Sequence, residues 1–361
     1  MKTERLTDMN KVIVPTGYMG TGSSAITDLL SEFSGFDVSH GHFEYVFMHC
    51  PNGIFDLEDK LLVGNNAIRS DEALHSFYFT MKQLYNKKYW WVGHYDVNIS
   101  NNFLSITEQY IEDLIQYRPD FYWYHQENTN LRMAVQLVFR KIVRLLSLHN
   151  INLKKPLLYD QMWISYIEPD EFYEKTKKYL NRIFSELGLN DQNIVLDQLL
   201  LPFNLYRIDN YFDDNIEVFI VDRDPRDMFL INKYIYPSLN EQVPYPTDVY
   251  EFCKCYRSLR EMEKNADANR LHVHRIHFED LIYKYDVTVD RIRNILISED
   301  GSLPEHIDKK KYFNPDKSIN NTQLFIGNAQ YNDEVKVIEK YLSEYLYEFP
   351  YRHIPNKSTV F

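Results

Sequence analysis

Apolar runs and stretches of helical spacing alternate along this chain in an order that predicts an α/β protein. Lys11-Val-Ile-Val-Pro15 is a short apolar run, a loop rich in Gly and Ser follows, and Ala25 to Phe33 repeats apolar residues at the spacing of one helix face. A second β-like segment, Phe36-Asp-Val-Ser39, leads into a polar and aromatic turn, His40-Gly-His-Phe-Glu44. From Leu57 to Leu189 the pattern is mostly helical and dense in Trp, Tyr and Phe, with Pro119, Pro156 and Pro169 marking loops. Buried-type strands return at Ile194-Val-Leu196, which ends in Asp197-Gln198, and at Glu217-Val-Phe-Ile-Val221, which runs into Asp222-Arg-Asp-Pro-Arg-Asp227 and a helix from Met228 to Tyr236. His272 to Phe278 is another strand, with Glu279-Asp280 at its carboxyl end, and a last amphipathic helix is expected from Asp333 to Tyr347. The pattern reads as one domain over residues 10–350, a three-layer parallel sheet flanked by helices, with a large helical insertion at 57–190. Ligands of such a sheet are expected at its carboxyl edge.

Composition narrows the partners. The 361 residues are 44% hydrophobic, enough for a sizeable core, and carry a formal charge of -12. That balance argues against nucleic acid, whose binding is driven by a basic face. An anionic ligand must therefore be held by a local group of cations or backbone N–H groups. Cys50, Cys253 and Cys255 are an odd number without a metal or redox spacing, and read as buried or incidental thiols of a reducing compartment. The polar start of the sequence and the lack of any run of about 18 apolar residues give the expectation of a cytoplasmic protein with no membrane span.

The glycines of the first loop carry the chemistry. Gly17-Tyr-Met-Gly-Thr-Gly22-Ser-Ser24 has the spacing of the Walker A loop, G-x-x-x-x-G-K-[ST], and sits between a buried strand and a helix. Small residues let successive N–H groups face one anion, and the helix start adds its positive dipole end. The fold class expected is therefore P-loop NTPase-like. The lysine position holds Ser23, which removes the cation that reaches the β- and γ-phosphates and disfavours kinase or ATPase chemistry.

With the later segments added, the chain resembles sulfotransferases that use 3′-phosphoadenosine 5′-phosphosulfate (PAPS), in particular bacterial carbohydrate sulfotransferases. Thr21-Gly22-Ser23-Ser24 matches the family's 5′-phosphosulfate loop, with Gly20 where the family has Lys or Arg. Arg223-Asp-Pro-Arg-Asp227 is similar to its 3′-phosphate segment, which implies that Arg223 binds that phosphate; Ile231 stands where the family has serine, and Asn232 is the nearest polar substitute. Arg275-Ile-His-Phe-Glu279-Asp280-Leu281 is similar to the "YEDL" segment, and Phe313 to Asn321 resembles the loop over the nucleotide, implicating Lys317 and Ser318. The resemblance thus implies PAPS as co-substrate, contacts from Gly17, Gly20, Thr21, Gly22, Ser23 and Ser24, and no metal. Asp224 at the head of the following helix, with Pro225 behind it, also reads as an N-cap.

Sulfuryl transfer needs an in-line acceptor, a base, and cations or N–H groups for the leaving phosphate. Glu44 and His42, just beyond the second strand, are the candidates for the base. His94, Asp96 and His125, set among aromatics, suit a saccharide or saccharide-lipid acceptor, and Asp197 and Gln198 at a strand's carboxyl end suit acceptor or water. Two other readings stay open: a catalytically silent relative that binds nucleotide or glycan, and a P-loop kinase of small molecules.

Overall fold

The computed structural model describes residues 10–18, 20–38, 43–86, 92–119, 131–148, 150–151, 162–239, 245–265, 271–298 and 301–356. The chain divides into two compact units, Met1–Val46 with Phe184–Phe361, and Phe47–Ile183.

The first unit is built on one parallel sheet of five strands: β1 Val12–Gly17, β2 Phe36–Asp37, β3 Asn193–Val195, β4 Ile216–Asp222 and β5 Val273–His277. They lie in the order β2-β3-β1-β4-β5. This is the P-loop-like α/β sheet that the strand pattern predicts. Both β1 and β4 are buried at every residue, which is why they read as unbroken apolar runs: the central strands of a parallel sheet are covered on both faces. They pair in register from Val12 opposite Ile216 to Gly17 opposite Val221. Pro15 is tolerated in a central strand because its carbonyl side faces β3, accepting from Gln198 N at 2.9 Å, and β3 has already ended at Val195.

Helix α1, Ser24–Leu30, lies on one face of the sheet and packs Ile26, Leu29 and Leu30 into a cluster with Ile13, Phe219, Val221 and Ile276. The helix Tyr285–Ile295 adds Val289 and Ile292 to the same cluster. From β3 the chain crosses over β1 to reach β4, so the strand order reverses beside β1 and opens a crevice at its carboxyl end.

Two helix ends differ from the sequence pattern, each for a local reason. The helix after β4 starts at Pro225 and is α-helical only to Leu230, then widens into a π turn, Ile231–Ile235. There the Asn232 side chain donates to the Met228 carbonyl at 2.8 Å, the acceptor that a regular turn would give to a backbone N–H. The last helix runs from Asn332 only to Tyr341, and Tyr347 N–H is taken by the Asp224 carboxylate at 3.0 Å. The helix Val249–Asn265 has no counterpart in the pattern reading.

The second unit is helical, with Ile54–Leu62, Ala67–Asn86, Phe103–Leu114 and Leu131–Leu146 among its helices. Its aromatic wealth is largely core: Phe47, Phe77, Phe103 and Phe172 are fully buried. Tyr110 and Tyr179 stack at 4.4 Å, their hydroxyls satisfied by Thr176 and Thr107 at 2.7 and 2.9 Å. Among the described residues no helix is long and apolar enough to cross a membrane.

Candidate functional site

The loop between β1 and α1 is shaped by its glycines. A Cβ on Gly17 would stand 2.3 Å from Thr21 Oγ1 and 2.8 Å from the Val221 carbonyl, so only hydrogen fits there. Gly20 and Gly22 have φ of 83° and 87°, the left-handed region that glycine enters without strain. Thr21 is fully buried and braces the loop: its hydroxyl donates to the Tyr18 carbonyl at 2.7 Å and accepts the Tyr18 N–H at 3.0 Å. The N–H groups of Gly20, Gly22, Ser23 and Ser24 have no acceptor among the described residues. These are the donors an anion would meet, at the positive end of α1. Gly17→Ala is expected to lower stability by about 1–3 kcal/mol through overpacking, checked by the urea midpoint.

A basic side chain at Gly20 would be strained, because φ there is positive; space is not the obstacle, since a Cβ would lie at ordinary contact distance, 3.6 Å, from Asn232 Nδ2. The cation reaches the loop from the neighbouring strand instead. Arg223, one residue past β4, donates from Nη1 to the Gly20 carbonyl at 3.0 Å and from Nη2 to the Asn321 carbonyl. Its guanidinium lies over the Phe278 ring at 4.5 Å, and its Nε has no hydrogen-bond partner among the described residues. Burial depresses the Arg223 pKa, and the nearby carboxylates of Asp227, Glu279 and Asp224 oppose that. Asn232 is buried beside the loop with its Oδ1 unpartnered.

The rest of Arg223-Asp-Pro-Arg-Asp227 fastens the carboxyl-terminal segment. Asp224 caps its helix by accepting from Arg226 N at 2.8 Å, and Arg226 also pairs with Glu339 and lies over the Phe325 ring. Asp227 takes the N–H groups of Gln323 and Leu324 at 2.8 and 2.7 Å. Glu279 accepts the Asp224 N–H at 2.9 Å, and its other oxygen is buried without a partner. Burial first, then Asp224, push the Glu279 carboxyl up to about 8. Asp227 is raised too, by burial and by Asp224. At the end of β4, burial alone would raise Asp222, but Arg260 and Arg275 hold it below the ordinary carboxylate range. The Asp224 cap is the one that the Asp-Pro pattern predicts; the other support roles are not visible in residue spacing, and the density of charge straight after a buried strand is the signal of them.

On the other side of β1, the end of β3 brings two predicted residues against the loop. Gln198, in a left-handed conformation with φ of 60°, donates from Nε2 to the Ser23 hydroxyl at 3.0 Å and accepts from Thr16 at 3.2 Å. Asp197 is 4% exposed. Its Oδ2 accepts from Thr27 at 3.3 Å, the Ser23 hydroxyl stands near enough to favour its charged form, and Oδ1 has no hydrogen-bond partner among the described residues. Burial first, then Glu44 and Asp28, raise Asp197 to about 7 against the lowering bonds from Ser23 and Thr27. Glu44 thus stands close enough to Asp197 to act on its charge, and the Asp197 carbonyl anchors the Tyr45 N–H at 2.9 Å.

The remaining predicted residues are dispersed. Ser318 is half-buried and Lys317 exposed on the turn Pro315–Ser318, three residues ahead of Asn321. In the helical unit, His94 has φ of 63° and is exposed, 3.8 Å from the Asp96 carboxylate. His42 and His125 lie outside the described residues.

The chain matches no family model and no curated protein. Among solved structures it is similar to the sulfotransferase domain of the Synechococcus PCC 7002 olefin synthase, at 10% identity over 97% of this chain and 99% of that one, with a TM-score of 0.37.

Proposed function

We propose that this protein transfers a sulfuryl group from PAPS to a hydroxyl of a saccharide or saccharide-lipid acceptor. The observation that carries the reading is the loop: the N–H groups of Gly20, Gly22, Ser23 and Ser24 have no acceptor among the described residues, and a serine stands at the position where a γ-phosphate needs lysine. Such a loop suits one terminal anion, and Ser23 and Ser24 offer hydroxyls to it. Arg223 answers the charge from behind, through the Gly20 carbonyl, and Lys317 and Ser318 would close over the nucleotide. Asn232 would offer its unpartnered Oδ1 side to the nucleotide.

In the reaction the acceptor oxygen forms a bond to sulfur as the bond from sulfur to the phosphate oxygen breaks. 3′-Phosphoadenosine 5′-phosphate leaves, and the hydroxyl proton passes to a carboxylate. Glu44 and Asp197 form the carboxyl pair beside the loop, and an acid near neutrality suits a proton acceptor at cellular pH. His42 is the other candidate base, with Gln198, His94, Asp96 and His125 for the acceptor. Transfer of this kind proceeds on N–H groups and arginine, without a metal in the reading.

Calorimetric titration with 3′-phosphoadenosine 5′-phosphate is expected to give binding that magnesium does not alter. Silence at high micromolar nucleotide sinks the reading, and magnesium-dependent ATP binding would favour a small-molecule kinase. A silent nucleotide-binding or glycan-binding relative is the second reading, favoured by Gly20 and by the two Arg223 N–H groups spent on backbone carbonyls. Transfer of labelled sulfuryl to any glycan of a panel, lost on Glu44→Gln or Asp197→Asn, excludes it.

A further inference from the structure

We propose that the helix Leu131–Leu146 is a docking face for an anionic lipid surface, on which it lies in the plane of the interface. The helix carries Leu131, Val135, Val138, Ile142 and Leu145 at alternating spacings of four and three, one unbroken stripe along its length. In the same unit, the helices Ala67–Asn86 and Phe103–Leu114 bury such stripes: Leu74, Phe77, Met81 and Leu114 are fully covered. Along Leu131–Leu146 the stripe residues are 47% to 82% exposed. An exposed apolar face of this length marks an interaction site.

Charge identifies the occupant. The helix holds Arg132, Arg140, Lys141 and Arg144 and no Asp or Glu, in a chain with 52 acidic against 40 basic residues. Lys141 and Arg144 are exposed, Lys141 at the border of the stripe and Arg144 behind it. The partner must therefore offer an apolar layer and negative charge side by side. An anionic bilayer does so: acyl chains receive the stripe, and headgroups receive the cations on their flexible stems. A second copy does not, since joining two stripes sets cation against cation with no acid in the helix to answer. The helix lies along the surface because 16 residues span roughly 24 Å against a hydrocarbon core of about 30 Å, and its cations interrupt the apolar surface.

The test is vesicle co-sedimentation of the full chain, with neutral phosphatidylcholine vesicles and with vesicles containing about one third phosphatidylglycerol, at low salt and at roughly 0.5 M salt. Partition onto the anionic vesicles at low salt is expected to exceed that onto neutral ones at least tenfold, and to fall severalfold at high salt. Val138→Ser with Ile142→Ser should abolish binding to both, and Lys141→Glu with Arg144→Glu should remove the anionic preference. All four side chains are exposed, so thermal melts of both double variants should match the wild type and rule out misfolding. Absence of partition, or partition that neither double variant changes, overturns the proposal. So does a concentration-dependent dimer dispersed by Val138→Ser with Ile142→Ser, which would assign the stripe to a second copy. Nucleotide binding is not needed for any arm, so the result stands apart from the proposed reaction.

Discussion

Arg223→Met is expected to cost about 3–5 kcal/mol of stability, the range for removing one member of a buried charge network. It is also expected to weaken phosphate binding at the loop by tenfold to a hundredfold, or about 1.4–2.7 kcal/mol. The stability loss has two sources. The carbonyls of Gly20 and Asn321 lose a donor, and Asp227, Glu279 and Asp224 lose a cation that acts on all three. The charge part depends on pH, and its sign follows from Glu279. Its folded pKa is raised, to about 8, so the folded state binds more protons than the unfolded chain and stability falls as pH rises from the ordinary carboxylate range through about 8. Without Arg223 that carboxyl stays protonated to still higher pH. The deficit of the variant should therefore be smaller at pH 6 than at pH 8, where the wild type has begun to ionise Glu279 against its arginine. Urea titrations at the two pH values measure this, and equal deficits would rule out the electrostatic account. Lysine at 223 should restore part of the charge effect but not the bridge between Gly20 and Asn321, because a single ammonium lacks the planar fork.

That dual role explains how far the site could be read from residues alone. The sheet was legible because parallel central strands are continuous apolar runs, as β1, β3 and β4 are, while the edge strand β5 shows as an alternating segment. The loop was legible because Gly17, Gly20 and Gly22 each meet a steric or conformational demand that spacing preserves. Arg223 was legible as important but not as buried: a charged residue after a strand reads the same whether its guanidinium faces a ligand or a backbone carbonyl. Gly20 read as a missing cation, whereas its positive φ is a conformation that a side chain would strain. The π turn at Ile231–Ile235 and the early end of the last helix were hidden because each depends on a side-chain bond, from Asn232 and to Asp224, that no periodicity encodes. Leu131–Leu146 falls in the stretch whose pattern reads only as mostly helical, and pattern cannot say that its stripe is uncovered.

Asp197→Asn is expected to make the protein more stable and to abolish transfer. The carboxyl is almost fully buried, and folding raises it from 3.8 to about 7. The folded state therefore holds a proton that the unfolded chain releases, and ionising the group at higher pH costs stability: nothing below the unfolded value, then a loss that grows up to about pH 7. The full difference corresponds to about 4 kcal/mol at most. Asparagine keeps the shape and cannot ionise, so the variant should gain on the wild type by up to that amount at pH 8 and by little at pH 4. The orphaned Oδ1 position receives the amide without displacing the bond from Thr27 to the other oxygen. A residue kept for packing would show the reverse, a loss of stability on substitution. Gain of stability with loss of turnover is the mark of a group retained for chemistry at the expense of the fold. In the proposed reaction the rate of the wild type should rise with pH through about 7 as Asp197 becomes able to take the acceptor proton, and the residual rate of Asp197→Asn should lose that limb. Nucleotide affinity separates this from a binding defect. The variant removes a negative charge from beside the loop, so 3′-phosphoadenosine 5′-phosphate should bind it as tightly as the wild type or more tightly at pH 8. Weaker binding together with lower stability would return Asp197 to a structural role and leave Glu44 as the proton acceptor.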